Sequence, residues 1–501
     1  MTRTLDLRLV APALVAWAVT AAAIAWGCAL PLVVATAAIG IAWWVLSVWC
    51  GRRIRWLPAG LAAVAGTAAV GVGFAIAAGL RVEAVEQHPL NSQRGSVLET
   101  IVSPTETPRP GGGGRIMFRA VLIDPQTGRE DAGVLVFGSA TASSGVMIGR
   151  PMRIRARVSK PQRPDLTVAV LTITGHPVFG EPSAIARAAA GVRSRFATAA
   201  QQVLPVDQAA MLPGLILGDT STVDATTSRD FRNAGLTHLT SVSGANVTMI
   251  CAAVLISSRL IGPRPAAVLA ALVLVGFVIV VSPGASVLRA GVMGGIGLLA
   301  VFANRRRQAV PALAAAVLGL LLVAPQLAVD AGFALSVVAT AGLVIVAPRL
   351  SRALQQHRWP KAMADLCAVA VVANAVTAPL IAAISGRFSV IAVVANILVA
   401  PVIAPITVLG TAAATMSTVF PAGAELAIRF TGPPLWWLLR VADTAGALPG
   451  ATWPVPSGWL GLALVGAAML AVPPAAVMVW MLVRRRWAAP AAPGGRDTID
   501  G

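Results

Sequence analysis

The sequence predicts a polytopic α-helical membrane protein with an inserted extracytoplasmic small β-barrel domain of OB-like type. Three observations carry that prediction. Of the 501 residues, 57% are hydrophobic and only 12% charged, with a mean hydropathy of +0.79, a balance no water-soluble globule needs. Apolar runs of bilayer length recur along the chain, flanked by short Arg clusters. One stretch, from Arg81 to about Phe179, departs from this and alternates apolar with polar residues at the period of a β-strand.

Residues 1–80 are an N-terminal membrane region with three helices. Arg3 and Arg8 precede an apolar run from about Leu9 to Gly27, a second run spans Leu30 to Cys50, and a third follows from Leu57 to Leu80. The GRRIRW loop between the second and third is cytoplasmic by the positive-inside rule, as is the N-terminus, so the third helix delivers the chain to the outer side.

Residues 81–180 form the extracytoplasmic OB-like β-domain. Strands are expected near 96–102, 115–123, 133–137, 151–159 and 166–173, separated by turn-rich pieces such as PTETPRPGGGG and DPQTGRED. In MRIRARVSK the period of two puts Met152, Ile154, Ala156 and Val158 on one face and Arg153, Arg155 and Arg157 on the other. Such a row of guanidinium groups is a candidate DNA-binding edge, since it can track phosphates. An ordinary solvated strand face fits equally well, because few aromatic residues accompany it for base stacking.

Residues 181–240 form an amphipathic helical connector, with Asp219-Thr220-Ser221 as a turn and Asp224 as a helix cap. They lead into the segment around which the chain is organised, TSRDFRNAGLTHLTSVSGANVTMI from Thr227 to Ile250. Here Arg229, Asp230, Arg232 and Asn233 pass through Gly235 to His238, Ser241, Ser243, Gly244 and Asn246, at the start of an apolar run. Hydrocarbon penalises an unpartnered polar group by a few kcal/mol, so a cluster of this kind faces protein or a hydrated cavity. Any single Ser or Thr here is more simply a hydrogen bond between helices, whereas the whole run points to a functional site.

Residues 241–486 are the polytopic domain, with apolar runs near 241–258, 266–282, 286–303, 309–323, 331–347, 363–384, 389–419 and 457–483. Residues 487–501 are read as a disordered cytoplasmic tail. The loops with Arg259 and Arg264, with Arg305 to Arg307, and with Arg349 to Lys361 alternate with loops poor in Lys and Arg. This places both termini in the cytoplasm. Residues 389–419, with Pro401 and Pro405, are expected to form a broken or re-entrant pair, and 421–448 an amphipathic helix on the outer surface. Polar residues inside the helices, Arg289, Asp330, Ser336, Asn374 and Asn396, are further candidates for a substrate path. Arg289 and Asp330, near the same ends of neighbouring helices, could form a pair that relieves the cost of both, and a structural clamp fits them at least as well as a substrate contact.

Several classes are excluded on paper. The formal charge of +19 sits mainly in the short clusters beside apolar runs, so it is evidence of topology rather than of a nucleic-acid partner. Neither lysine follows the Gly-Lys-Ser/Thr pattern of a phosphate-binding loop. Four dispersed histidines and four cysteines in or beside apolar runs suggest no metal, cofactor or disulfide framework. A hydrolase built on His238 and Ser243 lacks an orienting acid and a nucleophile elbow. A transporter or flippase of a small or lipid-linked substrate remains an alternative, and no enzymatic activity is expected.

The run RDFRNAGLTHLTSVSGANV resembles the signature of the ComEC-type competence proteins, in which a Gly-Leu-Ser/Thr-His-Leu step leads to a Ser-Gly pair. The resemblance extends to LPGLILGDTSTVD, PGASVLRAGVM and PQLAVDAGFALSVVATAGL, and covers roughly residues 30 to 485. His238, Ser243, Gly244, Arg289, Asp330 and Ser336 match its motif positions. It implies an inner-membrane channel for single-stranded DNA during natural transformation, in contact with membrane lipid. It also implies an extracytoplasmic DNA receptor, a separate nuclease and a cytoplasmic DNA-translocating ATPase as partners. Many members carry Leu-His where this chain has Ala245-Asn246, so no imidazole role transfers there. Many also carry a metallo-β-lactamase-like domain that the sequence past Arg486 is too short to hold; a short form is therefore expected.

Overall fold

The computed structural model describes residues 6–27, 57–111, 114–124, 127, 129–139, 145–240, 244–257, 262–281, 285–302 and 309–471. The run 30–50, the Arg clusters at 52–55, 305–307 and 484–486, and Ser241 and Ser243 lie outside these residues. The described chain is mostly helical, with one closed barrel between its second and third helices.

Helices α1 (Val10–Trp26) and α2 (Leu57–Glu86) pack on each other before the barrel. The barrel is built from β1 (Val97–Pro104), β2 (Arg109–Gly111), β3 (Arg115–Ile123), β4 (Glu130–Ser139), β5 (Met152–Ser159), β6 (Ala169–Ile173) and β7 (Val178–Phe179). Five main strands run β1-β3-β4-β6-β5, and β1 pairs with β5 to close the ring. Only β4 and β6 pair in parallel; the rest are antiparallel. Alternation sorts the side chains: Val102, Phe118, Val136, Ile154 and Leu171 fill the interior. On β5 the buried residues are Met152, Ile154, Ala156 and Val158, and Arg153, Arg155 and Arg157 point outward.

Then come α3 (Ala184–Val203), α4 (Val206–Leu217), α5 (Ala225–Asn233), α6 (Gly244–Ser257), α7 (Pro263–Val280), α8 (Ala285–Phe302), α9 (Ala309–Val323), α10 (Ala331–Ile345), α11 (Ala347–Gln356) and α12 (Lys361–Ser385). A short strand β8 (Arg387–Ser389) precedes α13 (Ala392–Met416), α14 (Pro421–Ala447), β9 (Thr452–Pro454) and α15 (Trp459–Ala471). Among the described residues four helical segments are long and apolar enough to cross a membrane: Ala63–Glu86, Ala331–Gln356, Lys361–Ser385 and Ala392–Met416. The apolar α4 is different in kind, being buried along nearly its whole length in the core formed with α3, α13 and α14.

Two expectations are corrected here. Residues 389–419 are not a broken or re-entrant pair, because α13 runs unbroken through Pro401 and Pro405. The helix tolerates its prolines because α14 packs along it, and Trp437 Nε1 donates to the Leu398 carbonyl at 2.8 Å beside the weakened ladder. Nor is 421–448 a helix lying on a surface. Its apolar face, with Ala424, Ile428, Leu435, Leu438 and Ala445, is buried against α13, α4 and α5. The two helices form a hairpin, and β8 pairs with β9 so that the start of α13 and the end of α14 meet at the same end of the bundle.

Candidate functional site

The Thr227 to Ile250 segment opens with α5, whose N-cap Asp224 accepts a bond from the Thr226 amide at 3.1 Å. The helix is bolted to the clasped end of the α13–α14 hairpin. Asn233 Nδ2 donates to the Gly446 carbonyl at 3.4 Å, and Ser389 Oγ donates to the Asn233 carbonyl at 2.9 Å. Gly446 lies so close to α5 that an added Cβ would be 2.9 Å from the Asp230 backbone. At Gly235 the chain turns with φ +72°, and a Cβ there would fall 2.4 Å from that of Ala392. Only glycine meets both demands. A single 3-10 turn, Thr237–Leu239, then carries His238 to the start of α6, whose first residue is Gly244 and whose first turn includes Asn246.

This segment forms part of the wall of a cavity of about 3050 Å³ that extends from the barrel into the helices. Of the residues singled out from sequence, His238, Arg289, Asp330, Ser336, Asn374 and Asn396 line it together. Arg153, Arg155 and Arg157 do not line it. They stand on the outer face of the barrel, with Arg153 3.7 Å from Glu99.

The His238 ring is open to the cavity but surrounded by protein, and the loss of bulk water lowers its pKa, opposed in part by a hydrogen bond with the Gly235 backbone. Nearby, Arg289 on α8 is only 5% exposed. Its Nε donates to Ser336 Oγ at 2.9 Å and its Nη1 to Thr340 Oγ1 at 2.7 Å, so hydroxyls on α10 hold a buried guanidinium. The expected pair with Asp330 is not formed. Asp330 instead caps its own helix, accepting from the Phe333 amide at 2.7 Å, and this local bond at a helix N-terminus satisfies the carboxylate without a distant cation. Asn396 donates to the Ala392 carbonyl one turn back, at 2.8 Å.

On the barrel side the wall carries Arg109, Arg119, Lys160 and Arg163. Arg119 is held by Asp165 at 3.0 Å and Arg109 lies 3.4 Å from Glu106. Sequence reasoning missed Thr340, Lys160 and Arg163. For Thr340 a signal existed, since it follows Ser336 by four positions and so shares its helix face. For the other two there was none, because nothing local says which side of a barrel meets a neighbouring bundle. Among the described residues no three His, Cys, Asp or Glu side chains come together as metal ligands.

A family model described as "Competence protein" matches residues 215–482. No curated protein and no solved structure matches the chain.

Proposed function

This chain belongs to the Competence protein family, and from that premise we propose that it is an inner-membrane channel passing single-stranded DNA into the cytoplasm during natural transformation. The supporting observation is the cavity. Pockets that hold drug-sized molecules measure roughly 300–1,000 Å³, and about 3050 Å³ is several times that. Its wall carries cations both on the barrel and in the helical region, at Arg229, Arg232, Arg289 and Arg387, and between them hydroxyls and amides such as Ser336, Thr340, Asn374 and Asn396. A polyanion needs positive charge where it is captured and weaker contacts where it must move on.

In this reading the barrel is extracytoplasmic and both termini are cytoplasmic. The α13–α14 hairpin supports that parity: it returns the chain to the end it left, so that α15 can run inward. Passage makes and breaks no covalent bond, and the driving force and any strand degradation belong to separate partners, an ATPase and a nuclease. The test is uptake of labelled DNA by a strain deleted for this gene, with and without the gene restored. The proposal expects uptake to disappear and return; unchanged transformation in the deletion strain refutes it. A transporter or flippase would instead show its loss in the distribution of a small or lipid-linked substrate.

A further inference from the structure

We propose that the barrel end of the cavity is a two-sided phosphate collar, with Lys160 and Arg163 on one bank and Arg229 and Arg232 on the other. The inference rests on the DNA reading above and adds where a strand is gripped. All four residues line the one cavity, and all four are exposed within it. Among the described residues none of the four forms a close salt bridge, although Arg229 is near enough to Asp224 to favour its carboxylate. The neighbouring Arg119 and Arg109, by contrast, are engaged by Asp165 and Glu106.

Both banks are held in place. Lys160 and Arg163 belong to the β5–β6 loop, where Asp165 also accepts a bond from the Thr167 amide at 3.3 Å. Leu166 of the same loop takes φ 62°, a conformation unfavourable for a leucine, and packs into the helix cluster that contains Trp17, Leu327 and Phe333. The loop is thus latched to the helices rather than hanging from the barrel. Arg229 and Arg232 sit three apart on α5, on one side of a helix capped by Asp224 and tied to Gly446. Two pairs of exposed cations lining one cavity suit a flexible chain of phosphates and read no base sequence. Because they line the same cavity as the polar helix residues, a nucleic-acid strand fits them better than a lipid headgroup.

The experiment uses the full chain in detergent, a fluorescent single-stranded oligonucleotide and a salt titration. Each phosphate contact contributes about 0.7 to the slope of log K against log salt. The K160Q/R163Q and R229Q/R232Q variants are each expected to lower that slope by about 1.4, with a thermal midpoint like that of the unmodified protein. Wild-type slopes in both variants overturn the collar, as does the reverse ranking, in which R153Q/R155Q/R157Q lowers the slope and the collar pairs do not. Loss of binding to phosphatidylglycerol vesicles with oligonucleotide binding intact makes the cluster a lipid site and also overturns it. If the unmodified protein binds no oligonucleotide at any salt, the DNA reading falls; if it binds and the collar variants match it, only the collar falls.

Discussion

The Arg289 clamp separates a functional guanidinium from a structural bolt, because the two predict opposite responses to removing the charge. A buried charge left without its acceptors is costly, whereas replacing the charged group itself with an apolar side chain of similar length is often neutral or stabilising. Ser336→Ala removes the acceptor of Arg289 Nε at 2.9 Å, a charge-assisted bond worth about 1.5–3 kcal/mol. Thr340→Val removes the 2.7 Å acceptor of Nη1 at a similar cost of about 1.5–3 kcal/mol. Arg289→Met retires the whole desolvated cation, and its expected effect on stability lies between zero and a gain of about 1–4 kcal/mol. Denaturant unfolding in mixed micelles measures all three. DNA uptake measured on the same variants should then run against stability, with Arg289→Met at least as stable as the wild type and defective in uptake. A loss of stability in Arg289→Met as large as that in Ser336→Ala, with uptake proportionate to protein level, refutes the reasoning and leaves the guanidinium as a fastening between α8 and α10.

Gly235→Ala combines a left-handed backbone position, costing about 1–2 kcal/mol, with a clash against Ala392 at 2.4 Å, costing about 1–3 kcal/mol more. Its folded yield in membranes should fall sharply, and a normal yield would mean that the bend is not fixed. The lowered pKa of His238 means that the unfolded chain binds a proton first on acidification. The His238 contribution to stability is therefore complete above about pH 6.5 and is lost as the pH falls from there toward the folded-state value. Thermal midpoints at pH 7.5 and 5.5 should differ less in His238→Gln than in the wild type, and equal differences would rule this out. Asp330→Ala removes the α10 cap and should cost about 0.5–2 kcal/mol, whereas a loss nearer that of a broken buried ion pair would point to a cation partner after all.

What was legible in the sequence followed from local periodicity. The alternation in MRIRARVSK sorted β5 correctly because a strand has two faces and a closed barrel has one interior. The runs at 309–323 and 363–384 gave α9 and nearly all of α12, since backbone bonds in an apolar segment must be satisfied within it. Where the reading failed, the deciding partner was distant in sequence. Pro401 and Pro405 are local signals for a break, and the helix that makes them tolerable, with Trp437, comes after the next turn. The amphipathic pattern of 421–448 was visible, but an apolar stripe does not say whether lipid or another helix covers it. Asp330 illustrates the converse, a distant partner inferred where a cap three residues away was enough. Of the candidate site, the polar helix residues were legible because charge inside an apolar run is rare, while the orientation of the barrel was not.

Because β1 bonds to β3 on one side and β5 on the other, the described main strands close into a ring with no full-length edge strand for another chain to zip onto. Under the proposed function, a protein that hands nucleic acid to this barrel would have to know it by its side chains and loops. Mispairing with a stray unfolded segment is discouraged by the same closure.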